Sequence, residues 1–434
     1  MKGKNKLYQQ LEKIFIGSKI EIWKYSDNEL LNKEPVKKLI SIFPKWFKIL
    51  ERGIKRDKSE ALRTLRHTIH TLKVYFSLLD DEFEKNIDEK NIKSLKGQLE
   101  KLYQYNSLYF PLILLYHDIG RPFNRTWHTF KSEKLIKRNK LLELFNLPEQ
   151  TEKLILIVIK HHLLVGTIFT GESSYYGSIA LLSDLKGINN NVSDHQIRIL
   201  FKTMKAFTLI DIWGYDYSEI YNHYFSYYNE ISTNLIKIFQ KSIKLNEEDG
   251  QKKCLKRVFF QLDNKNLKWR IACSMRIFQF ITVKPYLTEE FYFSKIENGL
   301  ANIGTSWKEF QEKLRDVHPR FQFKYALPLM MVLSSKKFRR EAIDDSFTIQ
   351  SKIFSFWSTC ADIIENKISK ESNSNFDLFY LVFDFPRHWF FNSPDRERIR
   401  ANIINALHSS TFSFDAKKSA YILTIDMNCI TNRN

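Results

Sequence analysis

Eleven histidines occur in the 434-residue chain, and six of them, His67, His70, His117, His128, His161 and His162, lie between positions 67 and 162. His117 is followed directly by Asp118, then by Ile119 and Gly120. An imidazole beside a carboxylate at the end of a buried helix can present both groups to one cleft, and Gly120 is expected to let the chain turn sharply away. Imidazole suits Fe, Zn, Ni and Co, and carboxylate suits Mg and Mn, so a mixed N/O set is expected to accept any of several divalent metals. His67 and His70 are three apart and share a helix face. His161 and His162 stand about 100° apart around a helix, so one could ligate while its neighbour meets substrate or a second ion. Asp211 is a lone acid in the apolar run Thr208–Ile212. A buried unpaired carboxylate is costly, and a metal ion removes that cost.

These residues need helices to carry them. Leu62, Leu65, Ile69, Leu72, Phe76 and Leu79 recur at three and four residues, which predicts a helix with one buried face under His67 and His70. Phe110–His117 reads as a short buried helix, and Leu135–Phe145 as a helix stopped by Pro148. Thr151–Leu163 reads as the helix bearing the paired histidines, and Asp88–Lys101 as an exposed connection or frayed helix. Residues 166–177 and 186–192, rich in Gly, Ser and Asn, read as loops, and Ser193 with Gln196 as a capping box opening the helix to Asp211.

The ordered set His, His-Asp, His, His-His, Asp resembles the HD superfamily of metal-dependent phosphohydrolases over roughly residues 60–225. Arg66-His67-Thr68-Ile69-His70-Thr71-Leu72-Lys73-Val74 looks like the opening helix of that family, and Leu114–Gly120 like its hallmark segment. His128–Glu133, Lys160-His161-His162 and Leu209–Ile212 follow in the family's order, with Asp184 as a weaker rival to Asp211. The family's His usually precedes a Val by four, so the resemblance selects His70 as the first ligand and leaves His67 facing substrate. It implies that His70, His117, Asp118 and Asp211 hold one ion (Mn, Fe, Co, Ni, Zn or Mg), and that His128 with His161 or His162 admits a second. Asp118, Arg121 and His162 are then the catalytic candidates, with a protonated His162 or His67 assisting the leaving oxygen. Arg125, Lys131, Lys160 and Tyr175 join His67 as substrate contacts. The implied activity is hydrolysis of a nucleotide phosphoester or phosphodiester by an all-α domain of five or more helices.

Composition agrees with a helical protein. Gly (13) and Pro (10) are scarce against a usual share of about 12%. Four widely spaced cysteines argue against a zinc knuckle or a disulfide framework, and no apolar run reaches the ~18 residues of a membrane span. A Walker A loop, G-x-G-x-x-G and G-x-S-x-G are all absent. The net charge of +19 suggests a phosphate-rich partner, nucleic acid included, although the basic residues are scattered as in a solvated Lys-rich surface. The overall expectation is a mainly α, cytoplasmic protein, free to form a homo-oligomer. It comprises an N-terminal helical region (1–55), an HD-type domain (56–243) and a C-terminal α(+β) accessory domain (254–434) with strand-like runs at Phe376–Phe385 and Tyr421–Asn428.

Overall fold

A computed structural model describes residues 5–246, apart from 19, 84–86, 126, 171–175, 189–191, 216–219 and 221. It also describes 249–250 and parts of the C-terminal half, chiefly 297–306, 321–323, 379–384, 396–415 and 420–426. The helices are α1 (Lys6–Phe15), α2 (Asp27–Leu30), α3 (Glu34–Ile42), α4 (Pro44–Arg56), α5 (Lys58–Leu79), α6 (Glu89–Tyr105), α7 (Tyr109–Tyr116) and α8 (His128–Arg138). They continue as α9 (Glu149–His161), α10 (Leu164–Thr170), α11 (Tyr176–Lys186), α12 (Asp194–Trp213) and α13 (Asn222–Ser242). Beyond these come β1 (Phe321–Phe323), β2 (Phe379–Asp384), α14 (Arg396–Ser409), β3 (Ser413–Asp415) and β4 (Ala420–Asp426).

The chain divides into two compact units, residues 1–165 with 183–243, and residues 166–182 with 244–434. In the first, α5 is the hub. Asp57 caps it by accepting from the Glu60 backbone N–H at 3.1 Å. It packs against α1, α4, α6, α7 and α12, so the N-terminal helices share the core of the site-bearing bundle. The buried face of α5 is not purely apolar: Glu60, Thr64, His67 and Thr71 form a buried polar stripe beside Leu62, Leu65, Ile69 and Leu72. Helix α7 is apolar all round and every residue of it is buried, as its short sequence requires. Helix α12 opens with the expected capping box of Ser193 and Gln196.

In the second unit the strands form one sheet in the order β1-β2-β4-β3. β1, β2 and β4 run parallel, and β3 is antiparallel to β4. Both strand-like runs read from the sequence therefore contain a strand, Phe379–Asp384 in the first and most of Ala420–Asp426 in the second. Leu267–Thr282, which reads as a helix from the sequence, lies outside the described residues.

Three local expectations are corrected. Residues 88–101 belong to α6, which buries Leu95, Gln98, Leu99 and Leu102. Residues 166–170 continue α10 instead of forming a loop. Helix α8 ends at Arg138, before Lys140 takes a left-handed conformation (φ 51°), instead of running to Phe145.

Gly120 is needed for a reason other than the expected sharp turn. Its φ is not positive, but a Cβ there would stand 2.4 Å from the Ser132 backbone N and 2.6 Å from the His128 carbonyl O. The chain after His117-Asp118 thus lies directly on the backbone of α8, and the Gly120 N–H donates to Ser132 Oγ at 2.8 Å. Gly120→Ala should lower unfolding stability by about 1–3 kcal/mol, because rigid backbone must move. Gly97→Ala, in α6 with open space around its Cα, should raise it by about 0.5–1 kcal/mol. Urea titration of both variants checks this, and equal effects would refute the close-approach account.

Candidate metal centre

Asp118 occupies the middle of the site. Only 3% of its side chain is exposed, yet it sits among imidazoles from four segments of the first unit. Its Oδ1 is 3.2 Å from His128 Nε2 and 3.8 Å from His162 Nε2. Its Oδ2 is 3.7 Å from His117 Nε2 and accepts from Arg121 Nη1 at 3.1 Å. Two buried ligand trios result, His67–His117–Asp118 and Asp118–His128–His162, with Asp118 common to both. Asp211 closes the first: its Oδ1 is 2.8 Å from His67 Nε2 and 3.3 Å from His117 Nε2.

Three imidazoles are held in one tautomer by the same device. Nδ1 of His117, His128 and His162 each donates to the backbone carbonyl three residues earlier, Leu114 O (2.9 Å), Arg125 O (3.0 Å) and Ile159 O (2.8 Å). A carbonyl can only accept, so Nδ1 carries a proton in each of the three, and where the ring is neutral an Nε2 lone pair faces the cluster. Burial holds His128 below the usual range for histidine, and burial with the neighbouring His117 and His128 pushes His162 down to about 3. Burial alone would raise Asp118, but Arg121 and the surrounding histidines hold it well below the usual carboxylate range. Burial likewise opposes ionisation of Asp211, and the imidazoles of His117 and His67 outweigh it. Burial depresses His117, while Asp118 and Asp211 raise it further than burial lowers it.

The donor set fits a cation. His117 Nε2, His128 Nε2 and Asp118 Oδ1 are buried without a hydrogen-bond partner. Lone pairs on His128 Nε2 and Asp118 Oδ1 face each other 3.2 Å apart with no proton between them. Unshared, such atoms bear a desolvation penalty of about 1–3 kcal/mol each, more for the charged one. Adjacent donors around one octahedral ion with bonds of about 2.1 Å stand roughly 3.0 Å apart. The separations of 2.8, 3.2, 3.3, 3.7 and 3.8 Å fall at or a little beyond that value. This is a buried His/Asp cluster capable of coordinating a divalent metal.

The surroundings orient it. Buried Glu60 accepts from Arg121 Nε at 2.7 Å, which aims Nη1 at Asp118 and at Tyr215 Oη (3.3 Å). Tyr215 stacks on His67 with ring centroids 4.0 Å apart. Gly214 lets the end of α12 reach His67, since a Cβ there would lie 2.6 Å from His67 Cε1 and 2.4 Å from Thr71 Cγ2. Phe207 packs edge-on against both His117 and His162.

Several sequence assignments change. His67, not His70, lies in the cluster. His70 Nδ1 lies 2.9 Å from Trp23 Nε1 and 3.1 Å from the Gly214 carbonyl O, outside either trio. His162, not His161, faces Asp118. His161 Nε2 is 2.6 Å from Asp184 Oδ2, which also binds Lys160 Nζ at 2.6 Å. Lys160 and His161 are thus tied to Asp184, and Asp184 is not the closing acid. Burial and the neighbouring histidines push His162 down to about 3, which disfavours the protonated ring a proton donor needs. Arg125 pairs with Asp57 at 2.8 Å and Glu60 at 3.2 Å with 60% of its side chain exposed, and Lys131 lies over the Phe123 ring. Tyr175 lies outside the described residues. Glu60 and Tyr215 were missed. Glu60 lies two turns before His67 on the same face of α5, and that spacing of buried polar residues was the available signal.

No protein family's sequence profile matches the chain, and neither a curated protein nor a solved structure matches it.

Two measurements probe the cluster. His67→Ala should lose bound metal while His70→Ala keeps it, read by elemental analysis after dialysis; the reverse result would restore the family-spacing assignment. The second is pH dependence. With chelator present, the folded protein binds fewer protons at His128 and His162 than the unfolded chain does below about pH 6.5. Stability should therefore fall as pH drops from about 6.5 toward 3, opposed in part by His117, whose raised value has the opposite sign. His162→Asn should flatten that slope by up to about 1.4 kcal/mol per pH unit, and an unchanged slope would show that His162 is not held neutral.

Proposed function

We propose that the chain is a metal-dependent phosphohydrolase of the HD type, cleaving a phosphoester or phosphodiester bond of a nucleotide. The observation that carries this reading is the shared carboxylate. Asp118 turns Oδ1 to His128 and His162 and Oδ2 to His117, and Asp118 Oδ1 and the Nε2 atoms of His117 and His128 are buried without a hydrogen-bond partner. His67, His117, Asp118 and Asp211 would hold one divalent ion, and Asp118, His128 and His162 a second. Ions so bound would supply Lewis acidity toward a phosphoryl oxygen and toward water.

The chain's own residues supply the rest. Arg121, charged at any working pH and fixed between Glu60 and Asp118, offers its guanidinium to charge building on equatorial phosphoryl oxygens. Neutral His128 and His162 serve as donors, so protonation of the leaving oxygen falls to water or to substrate. Arg125, the more exposed guanidinium beside Glu60, and Lys131 remain the basic candidates for outer phosphate contacts.

The formal charge of +19 favours a second substrate class, single-stranded DNA or RNA as cut by HD-type nucleases. A steep fall of nucleic-acid affinity with salt would select it, because many phosphate contacts release many counterions.

The purified protein is expected to contain one or two divalent ions and, with Mn²⁺, to turn over at least one of a panel of dNTPs, cyclic dinucleotides, alarmones and single-stranded nucleic acids. Asp118→Asn should lower kcat by about 10³-fold or more. Bound metal with no turnover across the panel would overturn the enzyme reading in favour of a sensor, and normal metal content in Asp118→Asn would overturn the ligand set.

A further inference from the structure

On the face of α12 turned away from Asp211, a groove of 440 Å³ opens between α6, α12 and α13. Leu209, which lines it, is two residues and thus about 200° around the helix from Asp211. The floor is apolar, made by buried Leu95 and Leu209 and half-buried Phe225. Amide side chains of Asn91, Asn222 and Asn229 stand around it.

The unusual group is Lys205. Its side chain is half-buried in the groove, and its Nζ donates to Asn229 Oδ1 at 3.2 Å. Among the described residues no carboxylate pairs with it. The acid of the groove, Asp88, is engaged elsewhere: it accepts from Asn222 Nδ2 at 2.8 Å and lies 3.6 Å from Lys90 Nζ. Burial, and then the neighbouring Lys202, hold Lys205 below the usual lysine range. An ammonium taken partly out of water, answered by one neutral amide and crowded by a like charge, is a site short of negative charge.

We propose that this groove binds a small phosphate-bearing ligand, its phosphate on Lys205 and the surrounding asparagines and its organic part, where it has one, on Phe225 and Leu209. The site is separate from the metal centre and does not depend on the hydrolase reading. Phosphate is favoured over carboxylate because its several acceptor oxygens can take the ammonium, the Asn229 amide N–H₂ and the second N–H of Asn222, whose first donates to Asp88. Free phosphate and a phosphomonoester present the same headgroup, and the apolar floor separates them experimentally.

The full-length protein, with chelator present, would be titrated calorimetrically with inorganic phosphate and with AMP. Saturable binding is expected, and Lys205→Met should weaken it by at least about tenfold. Asn229→Asp places a carboxylate against the ammonium. It should block binding as well, on an exposed position where the fold tolerates the change. His117→Ala should leave binding intact. AMP binding more tightly than phosphate would identify a phosphomonoester, and equal affinity the free ion. The proposal is overturned if neither probe saturates the wild-type protein, if Lys205→Met and Asn229→Asp both bind as wild type, or if binding is lost in His117→Ala instead.

Discussion

A single carboxylate without a proton, shut away from water among imidazole lone pairs, is the constraint from which the rest of the first unit follows. Asp118 is held ionised by Arg121 and the neighbouring histidines, yet its Oδ1 has no hydrogen-bond donor. The fold meets that cost by assembly. An all-apolar α7 carries His117-Asp118 into the core. Gly120 then lays the following turn on the backbone of α8, which brings His128 within 3.2 Å. Arg121 neutralises one oxygen and is itself neutralised by Glu60, so the guanidinium can lie next to a cation site without leaving the bundle. What remains uncompensated is the side of Asp118 that faces the histidines, and a divalent cation is the group whose charge and size suit it.

The histidines are prepared by local backbone chemistry more than by long-range packing. Helix C-termini leave carbonyls without partners. His117 and His162 both follow the last residue of a helix, and each takes one of those carbonyls with Nδ1. His128 uses the same three-residue step in the turn ahead of α8. The bond satisfies an orphan acceptor, fixes the tautomer and aims Nε2, three requirements of a ligand met by one contact. His67 has no such bond. It lies mid-helix and is oriented instead by Asp211, by the Tyr215 ring and by close contact with Gly214.

This difference explains what could be read from the sequence. The helical bundle, the His-Asp step and Asp211 were legible because each rests on local pattern: apolar period, a helix end, a lone acid in an apolar run. The choice within pairs was not. His67 and His70 share a face at the resolution of residue spacing, and what separates them is Asp211 and Tyr215 reaching one and Trp23 the other, from chain positions far away. His161 and His162 are separated by Asp184, 23 residues on, which draws in His161 together with Lys160. The buried cluster contains His67, whereas a family's preferred spacing points to His70 because it describes an average helix. The buried polar stripe Glu60–Thr64–His67–Thr71 describes this one, and it was present in the sequence as polar residues on a face otherwise apolar.

Exposure around the site is uneven, and that gives the centre a direction. His117, His128, His162 and Asp118 are almost wholly buried, whereas Asp211 and Arg121 each keep about a fifth of their side chains open. Tyr215 is half-buried, and Arg63, a third exposed, lies over its ring. The accessible edge is therefore the one built by the first half of α5 and the end of α12, where guanidinium groups, Tyr215 and the Asp211 carboxylate keep part of their surface open. On the phosphohydrolase reading a substrate meets that edge first. An anion is drawn there by Arg63 and Arg121, and any planar group it carries finds the Tyr215 ring, which already stacks on His67. His67, His117, His128 and His162 are all buried, so the open approach to the shared carboxylate runs past Asp211 and Arg121. Charge neutralisation in the interior and access at the rim are thus separate tasks, and Asp118 is the residue common to both.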